Sequence, residues 1–271
     1  LKTLVFFLAL LFERLHAQAI HSLPAEPFLH SGVYSIRFSD PFSFTANAAA
    51  LAFYDRAGAG VFGQKKFLVK ELSLLQAAAY TPVSFGALGI CTEYFGNAAY
   101  NETELGMAYG KKLGSMAIGC RFNYRNIRVA GYGNSAAFYA DVATLWKSSD
   151  KLMLGVGIRN INRARIGSRG EELLPVVFSM GCGCEISEQL SIAAEIRKEE
   201  NSPVDFRPVL HYYPAPNFFL RAGLASGIAS PWVSAGWRRK NFRIDIAASY
   251  HLVLGISPGL SLIVHAKNRE K

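Results

Sequence analysis

Three side chains near the C-terminus have the types of a hydrolytic relay: Asp245, Ser249 and His251 share one parity of a single stretch. A relay needs hydrogen-bond reach between its members and an oxyanion site. Residues two apart on a strand point the same way by default, so the shared face alone does not make a catalytic centre. The four cysteines promise little more. Cys182 and Cys184 would stand about 7 Å apart at roughly 3.4 Å per residue, beyond the usual Cα separation of a disulfide. No nearby histidine completes a metal set. By parity Cys120, Cys182 and Cys184 fall on apolar faces and Cys91 on a polar one, so they read as small fillers. No catalytic residue, metal site or cofactor is assigned.

A larger group is ionic. Glu102, Glu104, Arg121, Arg125, Arg159, Glu195, Arg197, Asp205, Arg207, Arg221, Arg243 and Asp245 recur one or two per segment, on the same parity as small and polar neighbours. Such a set could form a selective track through a pore. The favoured reading is a mutually paired network that holds a wall in shape, since charges withdrawn from water need partners.

The elements that carry these residues are strands. From Gly114 to Asn126, Met116, Ile118, Cys120, Phe122 and Tyr124 share one parity, while Ser115, Ala117, Gly119, Arg121, Asn123 and Arg125 share the other. That alternation predicts a strand with an apolar and a wet side. It is long for a soluble strand and close to the roughly 9–11 residues that cross a bilayer at a tilt. The apolar side is therefore assigned to lipid and the Arg side to the inside of a barrel. A one-residue slip would place Arg121 and Arg125 in hydrocarbon, at about 2–4 kcal/mol each near the midplane.

The pattern repeats over 57–66, 71–81, 84–95, 100–111, 113–126, 134–147, 151–161, 173–184, 188–198, 204–213, 217–225, 231–238, 241–251 and 257–266. Fourteen strands is an even number, as single-chain bacterial outer-membrane barrels have. The fold class expected is all-β, a transmembrane antiparallel β-barrel with a short N-terminal helix or plug. A secreted β-sandwich is the structural rival, but its strands would be shorter. Short turns at Pro82–Val83, Lys111–Lys112, Ser148 to Asp150, Ser187–Glu188, Pro214 to Pro216 and Arg239–Lys240 follow the even strands. Longer loops at Ile127 to Gly133, Asn162 to Glu172 and Glu199 to Pro203 follow odd ones. The even turns are then periplasmic and the odd loops extracellular.

The 271 residues are 51% apolar with net charge +9. No run of about 20 apolar residues follows the N-terminus, which argues against a helical membrane protein. The arginines mostly stand singly along the strands and not in a run, unlike a nucleic-acid patch. Lys2, the apolar run Leu4 to Phe12 and Ala17-Gln18-Ala19 read as an export signal over 1–19, with cleavage expected after Ala19. Residues 20–56 form a periplasmic or lumenal N-terminal segment, its first half extended up to residue 40, and 57–271 the transmembrane barrel. Within that segment Asn47 is a candidate N-cap for a short Ala-rich helix ending near Tyr54. Asn47, Ala48, Ala49 and Leu51 are candidates for a plug inside the lumen; packing against the rim is the alternative. Inward Gly119, Gly155 and Gly157 would leave room for that helix or for a ligand.

Asp40-Pro41-Phe42-Ser43 leading to Asn47-Ala48-Ala49, then Ala78-Ala79-Tyr80-Thr81-Pro82, Gly86-Ala87-Leu88-Gly89-Ile90 and Leu105 to Gly114 resemble the FadL-like outer-membrane barrels. Within them the resemblance is closer to the PorV/PorQ-type group associated with type IX secretion. It implies a fourteen-stranded barrel, a periplasmic N-terminus that enters the lumen, and no catalytic role. It also implies a protein partner in a secretion or envelope-assembly complex. The alternative is a FadL-like channel for a hydrophobic small molecule. Either way the expected surroundings are outer-membrane lipid, with no nucleic acid.

Overall fold

The computed structural model describes residues 27–38, 40–167 and 172–267; the expected export signal lies outside the described residues. Fourteen strands run antiparallel in chain order. They are β1 Gly58–Lys65, β2 Ser73–Val83, β3 Gly86–Gly96, β4 Tyr100–Leu113, β5 Met116–Val129, β6 Gly133–Lys147 and β7 Leu152–Arg159. The second half comprises β8 Val177–Glu185, β9 Leu190–Glu199, β10 Val204–Ala215, β11 Phe218–Ala225, β12 Ser230–Arg239, β13 Phe242–His251 and β14 Gly255–His265. Each strand pairs with the next, and β1 closes the ring on β14 from Gly58↔His265 to Gln64↔Gly259.

Closure follows from the solvent. Hydrocarbon offers no hydrogen-bond partner, so every backbone amide at membrane depth needs one from a neighbouring strand, and an open edge is excluded. The side-chain alternation then sorts the faces. Phe122 is 65% exposed and points outward, whereas its neighbour Arg121 is 4% exposed and points inward. The outward band is bounded by Trp146, Tyr212, Phe218 and Trp237 towards the even turns and by Tyr124, Phe138, Phe206 and Tyr250 towards the odd ones. Such girdles are where amphipathic rings meet the headgroup layer. No helix of the described residues is long and apolar enough to cross a membrane. An even-stranded closed barrel with an apolar belt is a bacterial outer-membrane protein.

Three expectations are corrected. The seventh loop is longer than the pattern indicated: β8 starts at Val177, not near 173, because Glu172–Leu173 instead pairs with Arg165–Ile166 in a small separate ribbon. Pro175 follows and has no N–H to give a ladder. In contrast, Ile127 to Gly133 is not a long loop. The alternation runs on to Val129, which pairs with Gly133, leaving only residues 130–132 between strands. The length difference between the two ends therefore rests mainly on 66–72 and 160–176. Finally, the described part of the 20–40 stretch is not extended. It contains helix α1, Pro27–His30, and Phe28, Leu29, Val33, Tyr34 and Phe38 are all buried. In a barrel this wide the lumen needs filling, and these rings supply it.

Phe122→Arg would put a guanidinium at mid-depth in lipid. Unfolding from vesicles by guanidinium chloride should report a loss of about 2–4 kcal/mol, whereas Phe122→Leu should stay close to wild type.

Candidate functional site: a closed lumen

Residues 27–38 and 40–54 fold as a plug inside the barrel. Helix α1 leads to α2, Ser43–Ala46, and then to a 3₁₀ helix over Ala48–Phe53. Asn47 caps the latter: its side-chain oxygen accepts from the Ala49 N–H at 3.1 Å. The same side chain donates to the Thr144 and Val156 carbonyls of β6 and β7 at 3.3 and 3.4 Å. Ala48, Ala49 and Leu51 are buried against β4 and β5. The small residues matter because the wall comes so close. A Cβ on Gly119 would lie 2.3 Å from the Ala48 carbonyl carbon and the Ala49 nitrogen, so only glycine fits. Gly183 plays the same part for the Tyr34 backbone, whose carbonyl oxygen would stand 2.1 Å from an added Cβ. Gly155 faces Leu145 and the Tyr34 ring.

An ion network fastens the plug to β11–β13. Arg243 pairs with Asp40 of the plug and with Asp245 of its own strand, both at 2.5 Å. Arg221 donates to the Phe28 carbonyl and the Ser31 hydroxyl at 3.0 Å each, and reaches Ser234 and Asp245 at 2.9 and 3.2 Å. The Phe38 ring lies under both guanidinium groups, 4.4 Å from Arg243 and 4.8 Å from Arg221. Two further ties hold the segment. Glu185 accepts from the Ser35 hydroxyl and the Ile36 N–H at 2.9 Å, and Tyr34 donates to Glu195 at 3.2 Å.

A second network stays within the wall of β4–β7. Glu104 takes Arg159 at 2.5 Å and the Tyr139 hydroxyl at 2.5 Å, with Arg121 at 3.7 Å. Asp141 accepts from Arg121 and from Asn123, each at 2.9 Å. Arg125 pairs with Glu102, to which Tyr100 also donates. Towards the odd-loop end, Arg207 pairs with Asp205 at 2.6 Å and Arg197 with Glu199 at 3.7 Å. Eleven of the twelve ionic residues thus have a charged partner within 4 Å, and the twelfth, Glu195, accepts from Tyr34.

Between the plug and β5–β9 lies a polar cavity of about 50 Å³, edged by His30, Thr45, Arg121, Asp141, Gly157, Arg159, Ser179, Glu195 and Arg197. It has room for a water or two and is far smaller than the roughly 300 Å³ of an ordinary small-molecule site. No groups of His, Cys, Asp or Glu with metal-holding geometry occur among the described residues. The candidate relay is not assembled. Asp245 is engaged by Arg243 and Arg221, while His251 Nδ1 accepts from the Val253 and Leu254 N–H groups and closes the β13–β14 turn. Cys91 is buried inside and Cys182 is exposed on the outer face. Sequence reasoning passed over Tyr139 and Asp141, which the parity of β6 would have found, and Phe38 and Glu185, whose roles depend on contacts distant in sequence.

No family model matches the sequence, and no curated protein matches it either. Solved structures do match the architecture. A FadL homologue of Pseudomonas aeruginosa aligns with TM-score 0.67 and 10% identity, covering 93% of this chain and 100% of that one. The fold is that of the FadL-type outer-membrane barrels. The monoaromatic hydrocarbon channel CymD gives TM-score 0.66 at 9% identity, over 93% of this chain and 100% of its own. The P. putida toluene transporter TodX gives 0.60 at 10% identity, over 86% and 95%. At such identity the likeness to FadL-type barrels is one of fold, and the residues inside this lumen have to be argued on their own contacts.

Two outcomes follow from the plug's seating. Gly119→Leu would occupy the space of the Ala48–Ala49 backbone, so the plug should leave the lumen while the barrel stays closed. Protease cleavage within 40–54 and ion conductance in planar bilayers should both rise. The second outcome concerns pH. Burial first, then Arg207, Arg197, Arg121 and Arg159 around it, hold the His30 imidazole well below its ordinary 6.5, while Thr45 lies 3.2 Å away and Glu195 and Asp141 edge the same cavity. A released plug would take up a proton near 6.5 that the docked plug refuses. Docking is therefore complete above that pH and weakens as pH falls below it. Protease sensitivity measured from neutral to mildly acidic pH should rise in the native chain and stay flatter in His30→Gln.

Proposed function

We propose that this protein is a channel for a hydrophobic small molecule, held closed by its N-terminal plug. The observation that carries the reading is the combination of a FadL-type fold with a chain segment packed into the lumen where a porin would be open. Fold neighbours at TM-scores of 0.60 to 0.67 include a monoaromatic hydrocarbon channel and a toluene transporter. A hydrophobic cargo does not need a continuous aqueous pore. It needs an apolar way between the barrel interior and the bilayer.

One seam of the wall suits that requirement. Pairing of β10 with β11 runs from Val209↔Gly223 to Tyr212↔Leu220, shifts register, and resumes at Ala215↔Phe218. Beyond Val209 it stops at Pro208, which has no N–H to donate. Above that point side chains replace the ladder: the Phe206 N–H donates to the Ser226 hydroxyl at 2.7 Å and the Gly227 N–H to the Asp205 carboxylate at 2.8 Å. An outer groove lined by Cys182, Ile192, Pro208, Val209, Gly223 and Leu224 lies against this seam. We place the exchange between lumen and lipid there. By contrast β3, β4 and β5 are paired throughout.

The secretion-partner reading draws on the motif resemblance at Asp40 to Ala49 and Ala78 to Gly114. A protein that co-purifies after gentle detergent extraction, from a barrel that moves no apolar probe, would favour it. The channel reading is tested by reconstituting the purified barrel in vesicles and following toluene entry. Entry should exceed that of empty vesicles several-fold. Pro208→Val, which restores a donor to the seam, should reduce it with heat-modifiable migration unchanged. Equal entry with and without the barrel would dispose of the channel.

A further inference from the structure

On the outer face of β10–β13 the paired residues form successive rows. Leu210, Ala222, Val233 and Ala248 make one row, and Tyr212, Leu220, Ala235 and Ile246 the next towards the even turns. The three alanines leave a groove of about 690 Å³ between the larger side chains, against about 470 to 540 Å³ for the other outer grooves described. Below it comes a row with Phe218, Trp237 and Ile244, and then Arg239 beside Phe242. Arg238, Arg239 and Lys240 are exposed at that end. Residues 212–220 and 236–244 contain no Asp or Glu. Among the described residues Arg239 and Lys240 make no ion pair, and Arg238 reaches only the Pro216 carbonyl, at 3.4 Å. The basic turn between β6 and β7 differs, because Lys147 there is neutralised by Asp150 at 2.8 Å.

We propose that this strip seats one anionic phospholipid from the leaflet at the even-turn end, the periplasmic end by the sequence reading. An acyl chain lies in the alanine-floored groove. Trp237 sits at the level where indole rings prefer the interface, and Arg239 takes the phosphate, a geometry for which guanidinium groups are suited. Arg238 and Lys240 add charge within the headgroup layer, where basic clusters beside membrane-spanning segments attract anionic lipid. The depth order of alanine, indole and cation down one strand matches the depth order of tail, glycerol and phosphate in a lipid molecule. The assignment rests on the membrane-spanning barrel and not on what the lumen transports.

The test is native mass spectrometry of the whole barrel released from mixed micelles holding equal amounts of phosphatidylglycerol and phosphatidylcholine. The native chain should retain phosphatidylglycerol several-fold over phosphatidylcholine. Arg238→Gln/Arg239→Gln/Lys240→Gln should lose that preference, and so should Ala222→Phe/Ala235→Phe, which fills the groove and keeps every cation. Lys147→Gln/Lys151→Gln should leave it intact. Equal retention of the two lipids by the native chain overturns the proposal, as does a preference that survives the triple charge variant. A preference that survives filling the groove also overturns it, since a diffuse basic rim would then suffice. Heat-modifiable migration reports that each variant is folded.

Discussion

Hydrocarbon leaves an amide group nowhere to turn but another amide, and the rest of this molecule follows from that. The chain answers with a closed ladder of fourteen strands. Closure fixes which parity of each strand meets lipid, and so commits Arg121, Arg221, Arg243 and their counterparts to the interior. A ring of this many strands is too wide for its own side chains to meet across the middle. The interior therefore holds charges that need partners and a space that needs filling. The plug meets both needs at once: its rings occupy the centre, and its Asp40 supplies the carboxylate that Arg243 requires beyond Asp245.

That coupling explains why the ionic residues are arranged as they are. A buried ion pair gains little over an apolar substitute, but removing one member of it leaves a stranded charge. Near β11–β13 the stranded charge would belong to the wall and the missing one to the plug, so docking is what completes the barrel's own electrostatics. Across β4–β7 the wall is complete without the plug, since Glu104, Arg159, Tyr139, Arg121 and Asp141 satisfy one another. One side of the lumen thus takes a balancing charge from the N-terminal segment, while the other receives its Asn47 hydrogen bonds and its closest packing without needing its charge.

Much of this was legible in sequence, because bilayer-facing strands alternate strictly. The strand count, the faces and the inward set could be read from parity alone, as the Met116–Val129 strand illustrates. The Asn47 cap was legible too, since an amide followed by an alanine run is a local signal. What could not be read was the course of residues 27–38. Phe28, Tyr34 and Phe38 obey no period, and each is placed by a partner more than thirty positions away: Phe62, Glu195 and Arg243. Loop lengths misled for a similar reason. Alternation marks where a strand could run but not where a neighbour stops pairing, as at Pro175.

If the channel reading holds, a lumen so filled needs a way through that leaves most of the plug in place. Releasing the whole plug would uncover Phe28, Phe42, Phe44 and Leu51, all buried to within a few percent, and break the Asp40–Arg243 pair. Parting β10 from β11 above Pro208 loses no ladder hydrogen bonds, because Pro208 already interrupts them; it loses the Ser226 and Asp205 side-chain contacts. Local openings draw on the least protected bonds first, and by that measure parting the seam costs fewer contacts than releasing the plug. Apolar cargo that moves sideways would also avoid the ion pairs that seal the axis. On the channel reading, the ion pairs across the axis would be no obstacle to a hydrocarbon that enters or leaves through the wall.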